Sequence, residues 1–467
     1  MSRPAGGTPV DHSSGQRFLR AARVYPALGD DVLHDAVVEM RGDRVVRVRT
    51  AADAADDLAR PGARVIDYGD ATVVPGLVDA HCHITLTGDG TPYEQQVLDS
   101  DEMMALIAVS NLQRHLASGV TTIRDNGGRN RIVFEVREAV ERGYVRGPRM
   151  LLAGRPITHS YGHFYWCNGV ADGADQIRAA VRRLVAEGAD HIKIMASGGA
   201  TAGNIPYYSS YTAAEMRVAV DTAHGLGRLT TAHCRATSSM LNAVEAGLDC
   251  IEHGEFLVPG EMMEFGGGVA SSGRMVYDPA VAQTVHDAGT FISFTAQTGG
   301  WETLVDLRRR AERGPLGDTE KGRVSAIEAY FDMKLGILSS MLADGLGPRI
   351  AISSDAGPYD VAFGGLQHGI ELAVAAGLTP LAAIRSATAV AAEACGIADQ
   401  VGTLAPGRLA DLLVVGGDAT RDVSRLWDVR AVYQSGRLVA PLVADSGADT
   451  GVVPLLPVRP AASVPDC

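Results

Sequence analysis

Three things are scarce in this chain: cysteine, long apolar runs and positive charge. Each absence removes a class of function. The six cysteines, Cys82, Cys167, Cys234, Cys250, Cys395 and Cys467, form no C-x-x-C pair in 467 residues, so no disulfide framework is indicated and a reduced compartment is expected. No stretch approaches the roughly 18 consecutive apolar residues of a membrane helix, which argues against an integral membrane protein. The opening residues are rich in Gly, Pro, Ser and charge and lack the apolar segment of a secretory signal. The expectation is a cytoplasmic protein with a mobile leader over residues 1–23. A formal charge of −13 disfavours nucleic acid and anionic membrane surfaces as partners. A small-molecule substrate is the expected partner, with self-association into a homo-oligomer.

What is present is an ordinary globular composition, 46% hydrophobic and 21% charged. The length suits a closed eight-stranded α/β barrel of roughly 250 to 400 residues with an accessory unit. Short β-type runs punctuated by Gly-Asp turns occupy the first 70 residues (Ala36 to Met40, Arg44 to Arg49, Ala63 to Ile66). The same texture returns at Ala410 to Val415 and Arg430 to Val439. Each group alone has too few strands for a core, so one β domain built from both chain ends is the economical reading.

Between them, apolar runs alternate with helical patterns. Strands are expected near Thr72 to Ala80, Val120 to Arg124, Arg149 to Ala153, His191 to Met195, Leu229 to Ala232, Asp249 to Glu252, Thr290 to Phe294 and Arg349 to Ser353. Helix signals separate them. Ile177, Val181, Leu184 and Val185 form one stripe ending before Gly188, Thr212 with Glu215 makes a capping box, and Thr379-Pro380 opens a helix. The expected class is therefore α/β: a (β/α)8 TIM barrel over residues 73–401, with a small β-sandwich domain from residues 24–72 and 402–467. The segment Thr295 to Gly322 exceeds a normal βα loop, so it either covers the site or decorates it.

The most informative motif closes the first barrel strand: His81-Cys82-His83. Histidines at i and i+2 on a strand project to the same side and can grip one metal ion. Polar residues also end other strands: Lys193 lies on strand four, His233 follows strand five, His253 strand six and Asp355 strand eight. In a closed barrel these ends form the active-site face. A single strand-end histidine is more often a hydrogen-bonded structural residue, and a strand-end aspartate often caps a helix. Coincidence on five strands is much harder to arrange. Lys193 fits least, because a protonated ammonium cannot ligate a metal.

With His-x-His, Lys, His, His and Asp in this order, the chain resembles the amidohydrolase superfamily, binuclear-metal type. The stretch Gly402-Thr-Leu-Ala-Pro-Gly-Arg-Leu-Ala-Asp resembles that family's return into its split β domain. The resemblance implies that Lys193 is carboxylated by carbon dioxide and that the carbamate bridges two divalent metal ions, expected to be zinc. It implies His81 and His83 on the more buried metal, His233 and His253 on the more exposed one, and Asp355 completing the first. Hydrolysis by a metal-bridging hydroxide would follow, with Asp355 as general base and then acid. Covalent catalysis is disfavoured: Cys82 and Cys234 point to the face opposite the neighbouring histidines, and Ser197-Gly198-Gly199 lacks the flanks of a nucleophile elbow.

Within the superfamily, Asp190-His-Ile-Lys-Ile-Met-Ala-Ser-Gly-Gly and the loop His159-Ser-Tyr-Gly-His163-Phe resemble the branch of imidazolonepropionase-like proteins and Xaa-Pro dipeptidases. That branch implies cleavage of an amide beside a carboxylate, in a dipeptide or N-acyl amino acid. Arg235 is the candidate for the carboxylate, although relatives more often carry Tyr or His there, and an arginine paired to a nearby acid is an equally good reading of it. His163, Tyr161 and Tyr208 are further substrate-binding candidates. Cyclic-amide or lactone hydrolysis by the same site is the alternative activity, and a non-catalytic scaffold the remote one.

Overall fold

The computed structural model describes residues 15–264 and 270–440. The expected leader up to residue 14 and the β-domain tail from 441 lie outside the described residues. In chain order the strands are β1 Gln16–Val24, β2 Leu33–Arg41, β3 Arg44–Thr50, β4 Arg64–Asp67, β5 Ala71–Pro75, β6 Leu77–Cys82, β7 Val120–Asp125, β8 Arg149–Leu152, β9 His191–Ile194, β10 Leu229–Ala236, β11 Cys250–Glu264, β12 Ala270–Met275, β13 Phe291–Phe294, β14 Ile350–Ile352, β15 Leu412–Gly416, β16 Val429–Gln434 and β17 Arg437–Ala440.

Among the described residues, both chain ends build one eight-stranded sheet in the order β17-β16-β15-β5-β1-β2-β3, with β4 also on β1. Residues 16–23, expected as leader, are instead most of β1. There Phe18, Leu19, Ala21 and Val24 are buried and Arg17, Arg20 and Arg23 between them are only partly so, so the charge that suggested a leader belongs to a strand.

A second difference is at the junction. The expected strand Thr72 to Ala80 is two strands: β5 pairs antiparallel with β15, and β6 pairs in parallel with β7. Gly76 separates them. A Cβ on Gly76 would sit 2.3 Å from Thr121 Oγ1, so only glycine lets the chain pass this close to β7 as it changes sheets.

The parallel strands form two sheets, β6-β7-β8 and β9-β10-β11-β13-β14, with β12 antiparallel on β11. Their residues are buried on both faces: Ile123, Ile192, Ile251, Ile292 and Ile352 alternate with buried polar residues such as Arg124, Lys193, Glu252 and Ser293. Parallel bridges also join Cys82 to Ala356 beyond β14, and Ile157 beyond β8 to Ile194 of β9. The β11–β12 hairpin is an addition the apolar pattern did not indicate.

Helix termini follow the local chemistry. The helix Gly173–Glu187 stops at Gly188, whose φ of 107° suits glycine. Thr212 and Glu215 form the full capping box of Ala213–His224, and the Thr379 side chain accepts from Ala382 N–H ahead of Pro380. The segment Thr295 to Gly322 is chiefly the helix Trp301–Arg313, followed by the start of Asp318–Ala343.

Candidate metal centre

Every polar strand end singled out above lies at the same end of the parallel strands. His81 and His83 share one side of β6, and their Nε2 atoms approach to 3.3 Å. Asp355, after β14, puts Oδ1 3.3 Å from His81 Nε2 and 3.6 Å from His83 Nε2. One ligand atom from each of these three lies within 4.8 Å of the others. The two strand ends are laced together: Asp355 N–H donates to His81 O at 2.8 Å, and Asp79 Oδ1 accepts from the N–H of His81 at 3.2 Å and of Ser354 at 3.0 Å.

His233 and His253 supply a second approach, with His253 Nε2 2.9 Å from His233 Nδ1. The His81 and His253 ring centroids are 4.9 Å apart, so the two pairs adjoin. His253 and Asp355 both occupy the left-handed region, at φ 70° and 55°. Non-glycine residues held there concentrate at functional sites.

The donor set fits a metal. Burial, aided by neighbouring positive charge, drives His83, His233 and His253 well below the ordinary imidazole range, which leaves neutral rings with lone pairs. Two neutral imidazole nitrogens at hydrogen-bond distance need a shared proton or a cation between them. Lys193 supplies the strongest indication. It is 1% exposed and its Nζ has no hydrogen-bond partner, an arrangement buried amines otherwise avoid. Burial lowers its pKa, against the opposing pull of Glu252 and Asp355, and so favours the neutral amine from which a carbamate forms.

The pocket over this cluster is lined by His163, His233, Arg235, His253, Glu255, Tyr330 and Asp355, with Tyr93 and Tyr359 among its walls. His163 stands 4.5 Å from His233 between ring centroids, and its Nδ1 is 2.7 Å from Thr201 Oγ1. Burial, with Arg235 and Lys193 nearby, pushes its pKa down to about 3, so the ring is neutral.

Arg235 does line the pocket, and it is also ion-paired, with Nε 2.6 Å from Glu255 Oε2. The other Glu255 oxygen lies 3.3 Å from both Lys334 Nζ and Tyr330 Oη. Burial pushes Glu255 upward, but Arg235 and Lys334 outweigh it and hold the carboxyl at about 2. Two buried cations thus share one carboxylate.

Tyr161 and Tyr208 are not brought to this pocket. Both are exposed. Tyr161 packs over Gly203 and stacks on Tyr165, and Tyr208 leans on Tyr207, because their loops turn outward. Cys82 and Cys234 are buried thiols pushed far up by burial, Cys234 to about 12, and thus unreactive.

Sequence reasoning missed Glu255, Tyr330 and Lys334. Glu255 was signalled by its place two residues after His253. Lys334 was signalled by its position in the stripe Ile327, Tyr330, Phe331, Lys334, Ile337, Leu338 and Met341, the buried face of its helix.

Comparisons with known proteins agree with this geometry. Ochratoxinase of Aspergillus niger is 26% identical over 405 residues, which cover 78% of this chain and 75% of that protein. Among solved structures, a prolidase complexed with N-methylphosphonate-L-proline superposes with a TM-score of 0.72 at 26% identity, covering 91% of this chain and 99% of that one. A Xaa-Pro dipeptidase with methionine in its active site gives 0.73 at 24% identity, covering 91% and 100%. The model of the Amidohydrolase family matches residues 72–439. The chain belongs to the amidohydrolase family and is a hydrolase acting on C–N bonds.

Proposed function

We propose that this chain hydrolyses an amide bond next to a carboxylate, in a dipeptide or an N-acyl amino acid, at a two-metal centre. The observation that carries the reading is the His81–His83–Asp355 cluster adjoining the His233–His253 pair, beside a buried Lys193 whose Nζ has no hydrogen-bond partner, at a pocket lined by His233, His253, Asp355 and Arg235. His81, His83 and Asp355 would hold one divalent ion and His233 and His253 the other, with Lys193 as a carbamate between them and zinc the expected metal. Bound there, the ions would supply Lewis-acid polarisation of the scissile carbonyl and a lowered pKa for the attacking water.

The remaining work falls to this chain's side chains. Asp355 accepts the proton of the attacking water and returns it to the leaving nitrogen, serving as base and then acid. Burial raises its pKa against the opposing influence of His81, Lys193 and Lys334, which favours the first half of that cycle, uptake of the proton. Neutral His163, 4.5 Å from His233 between ring centroids, would donate to the carbonyl oxygen. Arg235, on the pocket wall and paired to Glu255, is the cation that would meet a substrate carboxylate. The ligands named for the two solved relatives, methionine and a proline derivative, are amino acids of this kind.

The same reading takes the two parallel sheets as arcs of one closed barrel, because parallel bridges join both pairs of edges. It takes the eight-stranded sheet as a sandwich, which the pairing of β1 with β2, β4 and β5 favours.

A screen of zinc-loaded protein against dipeptides, N-acyl amino acids, lactones and cyclic ureas tests the proposal. Release of amine from carboxylate-bearing amides, weakened in Arg235→Met, is expected. Turnover indifferent to the substrate carboxylate would overturn the substrate assignment.

A further inference from the structure

The four histidines of the centre are not oriented alike. His83 Nδ1 is 3.0 Å from Gly127 O, His253 Nδ1 is 2.9 Å from Thr295 Oγ1, and His233 Nε2 is 3.2 Å from Gly198 O. These partners are neutral. His81 differs: its Nδ1 faces a carboxylate, Glu252 Oε2, at 2.8 Å.

Glu252 is fully buried and its other oxygen is occupied, by Arg124 Nη2 at 2.8 Å and by the Thr231 hydroxyl. Arg124 is equally fixed. Its Nε donates to Ala80 O at 2.8 Å and its Nη1 to Ala394 O at 3.0 Å. Ala80 is the residue before His81. One guanidinium therefore holds the backbone leading into His81 and, through Glu252, the far side of its ring.

Buried ion pairs are weak contributors to stability, since apolar residues of the same volume often do as well or better. A pair that reaches a single side chain from two directions is better explained by that side chain. The Glu252–His81 contact is a close approach of charge to ring, not an aligned hydrogen bond, and a carboxylate this near Nδ1 favours the ring proton on that side and so leaves the Nε2 lone pair on the side of Asp355 and His83.

We propose that Glu252 and Arg124 are positioning residues for His81, and that their effect is to make the His81–His83–Asp355 position the more tightly held of the two metal positions. This rests on the two-metal reading above. Neither residue touches substrate; both act through the imidazole.

The test is zinc binding by the full-length protein, stripped by chelation and titrated in competition with a zinc-chelating dye. The wild-type chain should take up two zinc ions in two steps. Glu252→Gln should weaken the tighter step by about 10- to 100-fold and leave the weaker one unchanged, with the far-ultraviolet circular dichroism of the metal-free protein preserved. The double variant Arg124→Gln with Glu252→Gln leaves no unpaired buried charge, so it decides the matter should the single variant fail to fold; the same selective weakening is expected. A tighter step unchanged in the folded variants would overturn this inference while leaving the metal centre standing. A wild-type chain that binds no zinc would instead overturn the centre itself.

Discussion

Two buried regions of this molecule treat their polar groups in opposite ways. In the eight-stranded sheet, Glu39 is 1% exposed and its carboxylate is saturated by the chain: Gln16 at 2.5 Å, Arg47 at 2.6 Å and Arg49 at 3.2 Å. All three partners stand on neighbouring strands. At the end of the parallel strands, Lys193 is just as buried and its side-chain nitrogen has no hydrogen-bond partner. The first arrangement is complete as folded and serves stability. The second is complete only with a ligand, which is how a chain marks a site it must leave open.

Chemistry provides the largest test of this contrast. Asp355→Asn keeps the shape of the side chain and removes the proposed proton acceptor, so turnover should fall by about 10³-fold with circular dichroism and bound zinc unchanged. Appreciable retained activity would reject the base-acid role.

Stability should separate the two regions next. Glu39→Gln removes the buried carboxylate that Arg47 and Arg49 share, while both arginines keep Asp57, and should cost about 1 kcal/mol in denaturant unfolding. Lys193→Met removes an unsatisfied buried amine, so metal-free protein should gain about 1 kcal/mol while activity disappears. A loss of stability in Lys193→Met comparable to that in Glu39→Gln would abolish the distinction.

A smaller effect is expected at the pocket wall. Arg235→Met should raise KM for carboxylate-bearing amides by about 10- to 100-fold, the range for one charged hydrogen bond, and change kcat less. Equal losses in both parameters would point to a role in the reaction step instead.

The smallest effect concerns pH. Glu302 begins the helix Trp301–Arg313 and accepts from Ala362 N–H at 2.9 Å. Burial raises its pKa from 4.5 to about 7, against the pull of that hydrogen bond and of His368. Because the folded value lies above the unfolded one, the folded state binds the proton more tightly. Its contribution is present below about pH 4.5 and is lost as pH rises through about 7. Glu302→Gln should therefore flatten the fall in thermal midpoint between pH 5 and pH 8, and an unchanged slope would assign that fall to other groups.

Much of this organisation was legible in the sequence, and the reasons are local. The eight parallel strands announce themselves as apolar runs because both faces are covered. Imidazoles and a carboxylate at their ends stand out against that background, and a strand has only one end that faces the site. The shared sheet of the two chain ends was readable from texture alone.

What escaped depends on contacts remote in sequence. Gly76 looks like any glycine in an apolar run until Thr121 is seen against it. The arginines of β1 read as leader charge because Phe18, Leu19 and Ala21 among them find their apolar partners on other elements. Tyr161 and Tyr208 failed as candidates because loop direction carries no periodic signal. Lys334 did carry one, since its helical stripe places it among buried residues, but nothing local named Glu255 as its partner.

The pairing of β5 with β15 has a kinetic consequence. Val74 sits opposite Leu413, so the sheet that receives the first described strands cannot be completed until almost all of the chain has emerged. Contacts this distant in sequence close slowly. During synthesis β5 lacks the partner on its β15 side, and an open strand edge of that kind is prone to pair with other chains. The joining of the two ends that frames the catalytic unit thus makes the folding of this chain a late event, with its greatest exposure to aggregation before β15 arrives.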